Sequence, residues 1–187
     1  IMAVYFIRTC TVVIAHTKRF VLLSCAMALL PSLAHAADTA AGALIGTDGA
    51  SHGTVTVTDA PKGVVLRVEA KGLTPGWHGM HFHEKAVCDA PKFTSAGPHV
   101  HASAPVVHGL LNANANDAGD LTNVFVGADG TATVELFSPL VSLRAGKGKP
   151  ALLDADGSSL VIHAHPDDYQ SQPIGGAGDR VVCAVLK

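Results

Sequence analysis

The strongest constraint on this chain is a two-residue alternation that returns in short runs. Thr54–Thr58 alternates Thr and Val, and Val64–Ala70, Val124–Val126 and Thr131–Phe137 are further apolar or β-branched runs. Ser159–His165 and Arg180–Leu186 close the chain in the same way. Strand side chains switch faces at every residue, so this period belongs to β-strands. Turn residues separate the runs at Asp59–Gly63, Lys71–Gly76 and Gly127–Gly130. Gly42–Ile45 reads as one further strand inside a loose lead-in, residues 38–53, that also holds His52. Leu140–Leu143 reads as a short strand or a helical turn. No helical period follows residue 36, so the expected fold is an all-β sandwich or barrel.

The first 36 residues are set apart. His16-Thr17-Lys18-Arg19 is basic, Phe20–Leu30 is an apolar run, and Ala34-His35-Ala36 is a small-x-small cleavage signal. This pattern is read as a secretory signal cut after Ala36, with the residues before Lys18 an extension upstream of the true start. The apolar run is short for a bilayer span. An uncleaved membrane anchor and lipidation at Cys25 are the competing readings. Arg8, Lys18 and Arg19 leave with the signal, so ten basic residues face fifteen acidic ones, a net charge of −5. That balance excludes nucleic acid as a partner, because phosphate contacts need clustered Lys and Arg. No stable membrane partner is expected after cleavage, and the protein is expected in the periplasm or secreted. Only Cys88 and Cys183 then remain. In an oxidising compartment they most simply form one disulfide, the alternative being two buried thiols.

Histidine is the chemical signature. Gly76-Trp77-His78-Gly79-Met80-His81-Phe82-His83-Glu84 reads as one extended strand. It puts His81 and His83 on one face and Met80 and Phe82 on the buried opposite face. Such a pair holds a metal ion or sits on an exposed edge. Two stretches without any period follow, Glu84–Asp120 and Pro166–Asp179. Structureless loops of this length in a compact domain are usually functional. The first contains His99, His101, His108, Asp117 and Asp120, and His163 lies near the end of a late strand. Many imidazoles with one or two carboxylates suit copper and zinc better than calcium or magnesium. Gly175–Gly178 is no phosphate loop, since it opens no helix and carries no Lys.

The chain resembles the copper/zinc superoxide dismutases of the bacterial exported type. The resemblance rests on Gly76–Glu84, Cys88-Asp89-Ala90-Pro91, Ser95-Ala96-Gly97-Pro98-His99, His108-Gly109, Gly119-Asp120-Leu121, Val161-Ile162-His163, Pro166-Asp167-Asp168-Tyr169 and Gln172–Cys183, in order over residues 42–187. It implies a Greek-key β-sandwich or flattened barrel, immunoglobulin-like, with two long functional loops. It implies copper held by His81, His83, His99 and His163, and zinc held by His99, His108 and Asp120, with His99 bridging. Asp167 would join a copper histidine to a zinc histidine by hydrogen bonds. Arg180 would receive the superoxide anion beside copper, and His99 with water would supply protons. Cys88 would pair with Cys183, and Gly175–Gly178 would let the second loop pass close to the site. A homodimer is compatible with this resemblance, although no stretch reads as a dimer patch.

One departure matters. The family usually carries a third zinc histidine where this chain has Asp117. Asp117 ligates zinc, or His101 takes its place, or the zinc site is weak or empty. His78 and His165 are expected to be structural or exposed. Met80 and Ala86 replace the Phe and Gly common there and are expected to alter packing only. The implied activity is superoxide dismutation; a related metal-binding protein without turnover is the alternative. A zinc hydrolase would need a carboxylate general base beside open zinc, and no His-Glu-x-x-His run is present.

Overall fold

The computed structural model describes residues 38–187. The proposed signal, residues 1–36, lies outside the described residues. Nine strands follow in order: β1 Thr39–Gly46, β2 Ser51–Ala60, β3 Gly63–Ala70, β4 Gly76–His78, β5 Met80–His83, β6 Val124–Val126, β7 Ala132–Ser138, β8 Ser159–His163 and β9 Arg180–Val185. The helical content among the described residues is one 3-10 turn at Thr94–Ala96. One antiparallel sheet runs β5-β8-β9-β1-β2-β3-β7, and β4 pairs with β6 in a second.

The connections make the sandwich. β2 and β3 form a hairpin closed at Ala60 and Gly63, where Pro61 suits the turn. After β3 the chain crosses to β4 and β5, and the strand beside β3 is the distant β7. This out-of-order neighbour is the Greek-key feature. β4 and β5 are nearly one run of chain, so they link the two sheets and curl the whole into a flattened barrel. The period-two pattern aims Val55, Val57, Leu66, Val68, Phe82, Leu160 and Ile162 into one core. Each contributes about 1.5–3 kcal/mol by leaving water. On the outer face of β3, Arg67 pairs with Glu69 in solvent.

Four readings need correction. The 76–84 stretch is two strands in two sheets, broken at Gly79. Gly79 sits against the second loop, where even a Cβ would press on Ala177, and it exchanges backbone hydrogen bonds with His163 and His165. The lead-in is mostly strand, with β1 and β2 covering it and His52 lying on β2. Leu140–Leu143 forms no strand or helix; it lies in a third long connection, 139–158, pinned by buried Val141, Leu143 and Leu152. β8 stops at His163, so exposed His165 is outside it.

Candidate metal centre

β5 is buried on both faces. Met80 and Phe82 enter the hydrophobic core, while His81 and His83 face the other way, as alternation requires. One edge of β5 pairs with β8, which sets His81 opposite Val161 and His83 opposite Ser159. The other edge is covered by the long loop. Phe82 N–H donates to Gly119, Val100 N–H donates to Phe82, and Gly119 N–H donates to Val100. Isolated bridges set His83 against His99 and His81 against Asp120. A loop without sequence period is thus zipped to a strand by its backbone, which carries His99, Asp117 and Asp120 to the two histidines.

Two groups of donors result. In the first, the donor atoms of His81, His83, His99 and His163 lie within 4.8 Å of one another. Each of these rings is oriented by its other nitrogen. His81 Nε2 meets Asp167 at 2.9 Å, His83 Nδ1 meets the Gly97 carbonyl at 2.8 Å, and His163 Nδ1 meets the Gly178 carbonyl at 3.0 Å. The nitrogens left over are His81 Nδ1, His83 Nε2, His99 Nε2 and His163 Nε2, all buried and without a hydrogen-bond partner. Buried polar atoms are rarely left unpaired, and four converging imidazole lone pairs are what copper takes. Burial drives the pKa of His81 down to about 4 against the pull of Asp167, and that of His163 to about 3. Burial likewise holds His83 well below its ordinary value. These rings therefore stay neutral, with lone pairs free, at neutral pH.

The second group gathers His99, His108 and Asp120, with His81 at its border. His81 stands near both groups because its ring stacks on His99 at 4.0 Å. Its Nε2 is committed to Asp167, so we assign its free Nδ1 to the first group. Asp117 joins the second. Its Oδ2 lies 2.7 Å from His99 Nδ1 and 3.5 Å from His108 Nδ1, while Asp120 Oδ1 lies 2.6 Å from His108 Nδ1. Two imidazole nitrogens and two carboxylates thus face one point, a donor set that suits zinc. His101 does not join them: its Nδ1 turns to the His99 carbonyl, with Glu84 nearby. Burial opposes charge on His108, but the carboxylates of Asp117, Asp120 and Asp167 outweigh it and raise its pKa to about 11. For Asp117, burial works upward, and hydrogen bonds from His108 and His99 pull its pKa well below the ordinary carboxylate range.

Asp167 spans the two groups, Oδ2 on His81 and Oδ1 on His108 at 3.0 Å. Gly175 makes room for it: its φ is +59°, and a Cβ there would overlap the Asp167 carboxylate. Removing such an orienting carboxylate typically costs 10–100-fold in metal affinity. Asp167→Ala is accordingly expected to lose about that factor, read by competition with a chelator; unchanged affinity would reject its role.

Residues given no role by motif reading hold the second loop in place. Asn123 brackets the Asp167 backbone, donating to its carbonyl and accepting from its N–H. Gln172 does the same for His108. Asn123 lies outside every matching stretch, and Gln172 opens one without a role implied for it there. His78 is buried, with its ring nitrogens against the carbonyls of His163 and Thr74, a structural role as expected.

Arg180 stands opposite His163 in the β8–β9 ladder, at a register shift between Ile162 and His163. Bulges of this kind re-aim side chains beside active sites. Its guanidinium donates to the carbonyls of Phe93 and Gly97 at 2.7 and 2.8 Å. Gly97 O is therefore shared by Arg180 and His83. Burial lowers the Arg180 pKa, though a guanidinium stays charged at any working pH. Arg180 lines a cleft of ≈ 400 Å³ with Lys92, Thr94 and Gly178. Neither this cleft nor a larger groove of ≈ 670 Å³ at Glu84, His101 and Lys149 is lined by any of the four copper-set histidines; Arg180 is tied to that set through the Gly97 carbonyl it shares with His83. Cys88 and Cys183 are joined, closing a 95-residue separation.

A sequence profile described as copper/zinc superoxide dismutase (SODC) matches residues 51–186. A protein of Caulobacter vibrioides named superoxide dismutase [Cu-Zn] is 65% identical over 140 residues, 75% of this chain and 80% of that protein. A Bacillus subtilis superoxide dismutase-like protein superposes with a TM-score of 0.73 at 36% identity, covering 79% of this chain and 97% of that one. The copper/zinc superoxide dismutase of Brucella abortus superposes at 0.64 with 26% identity, covering 80% of this chain and all of that one.

Proposed function

The chain belongs to the copper/zinc superoxide dismutase family, and from the residues it keeps at the metal centre we propose that it converts superoxide to dioxygen and hydrogen peroxide. The observation that carries this is four buried, unpartnered imidazole nitrogens, with a charged Arg180 held on the same Gly97 carbonyl that orients His83.

The reaction balances in two halves. One superoxide gives up an electron and leaves as dioxygen; a second accepts that electron with two protons and leaves as hydrogen peroxide. Copper, when bound by His81, His83, His99 and His163, supplies the one-electron carrier between them. The protein does the rest. Arg180 receives the anion, held in position by the two backbone carbonyls. The net charge is negative, so attraction is local, focused by the cleft around Arg180 and Lys92. His99 turns Nε2 to the other copper-set nitrogens and Nδ1 to the zinc set, and Nε2 is the atom that would hold and release a proton. Zinc would be held by His99, His108, Asp120 and Asp117. Export to the periplasm or medium is part of the proposal, supported by the disulfide, which persists in oxidising compartments.

Metal analysis of the purified protein with a dismutation assay tests this reading. Copper bound with negligible turnover would overturn it in favour of a metal-carrying protein. Arg180→Ala is expected to slow dismutation roughly tenfold or more and to flatten its dependence on ionic strength. An unchanged rate and salt slope would reject Arg180 as the anion's receiver.

A further inference from the structure

We propose that Asp117 makes the zinc side of the centre self-supporting, so that the copper site keeps its geometry without zinc. This rests on the copper reading above and adds independence from zinc.

The two halves of the centre differ in one respect. Among the described residues, the four buried ring nitrogens without a hydrogen-bond partner, His81 Nδ1, His83 Nε2, His99 Nε2 and His163 Nε2, all belong to the copper set. On the zinc side the donors and acceptors match one to one. His99 Nδ1 is 2.7 Å from Asp117 Oδ2, and His108 Nδ1 is 2.6 Å from Asp120 Oδ1. His108 Nε2 meets Asp167. The outer oxygens are taken by backbone: Gly119 N–H donates to Asp117 Oδ1 and Gly109 N–H to Asp120 Oδ2.

A carboxylate accepts and never donates when ionised, so it can hold an imidazole N–H directly. Hydrogen bonds with an ionised partner are the strong ones. With two carboxylates for two imidazoles, each ring has its own acceptor. The Asp117 contact places the donor hydrogen of His99 on Nδ1 and leaves its Nε2 bare toward the copper set. That is the orientation a zinc ion would otherwise impose. A histidine at 117 would remove this match: three rings would then share Asp120, and a cation between them would be needed to satisfy their lone pairs. Asp117 is thus a positioning residue for His99, acting on copper through that ring.

The test uses the full purified chain, stripped of metal and given one equivalent of Cu(II), followed by electron paramagnetic resonance before and after one equivalent of Zn(II). The wild type is expected to bind one copper per chain with a single spectrum that zinc leaves unchanged. Asp117→His is expected to give a mixed copper-only spectrum that zinc restores, and to lose about tenfold or more in zinc-free copper affinity. A wild-type spectrum that becomes single only after zinc overturns the inference and leaves the dismutase reading standing. So does a wild-type-like copper-only spectrum in Asp117→His. Failure of the wild type to bind copper with or without zinc overturns the copper reading itself. If a variant does not fold, the wild-type titration alone decides.

Discussion

His83→Ala is expected to abolish dismutation. His83 gives one of the four unpartnered nitrogens, and its Nδ1 is fixed by the same Gly97 carbonyl that holds Arg180. Orienting residues alone cost 10–100-fold when removed, so loss of a direct donor is expected to lower copper affinity by more than about 100-fold. Chelator competition and turnover should fall together. The hydrophobic core should persist, because His83 projects away from Met80 and Phe82, and far-ultraviolet circular dichroism checks this. His165→Ala is the control. It copies the His-x-His spacing with His163, yet it is exposed and outside the centre. Retained copper affinity in His83→Ala would remove His83 from the copper set. Loss of affinity in His165→Ala would show that the centre has been drawn wrongly.

Replacing both Cys88 and Cys183 by Ala is expected to destabilise the metal-stripped protein by about 4.7 kcal/mol, the chain-entropy value for closing a loop of this length. At this size that is roughly 10 °C in Tm. The effect should reach the active site. Cys183 packs with Phe93, Ala96 and Val161 in a small cluster separate from the main core, and Cys88 lies against it. Phe93 is buried in a left-handed conformation, φ 53°, and its carbonyl anchors Arg180. Loosening Cys88 therefore loosens the anchor of the Arg180 guanidinium. Calorimetry of the metal-stripped double variant reads the first effect, and the salt dependence of turnover in the copper-loaded form reads the second. A Tm shift under about 2 °C would mean that the small cluster holds without its covalent link.

Much of the centre was legible before any coordinates. His81 and His83 share a face because strand period is two, and that survives even though the predicted single strand is broken at Gly79. The resemblance supplied the other copper histidines, Asp167 and Arg180, and each is found beside the site. The strand pattern was legible except where small residues blurred it, as in 38–53, and where apolar side chains plug the core without forming strand, as at Val141, Leu143 and Leu152.

The list of donors, the face on which two of them lie, and the identity of the odd residue at 117 are already present in the amino-acid order. A period of two needs only neighbouring residues, so it can be read locally. Which atom of each donor is free is settled by the folded chain. That depends on partners far along the chain: Gly97 and Gly178 carbonyls, Asn123 and Gln172, the zipper of the long loop to β5, and Asp117 against His99. A backbone carbonyl has no sequence signature, and a loop without period carries no register. Only folding brings the carboxylate of Asp117 to the ring of His99, and that contact is what separates a histidine that needs zinc from one already held.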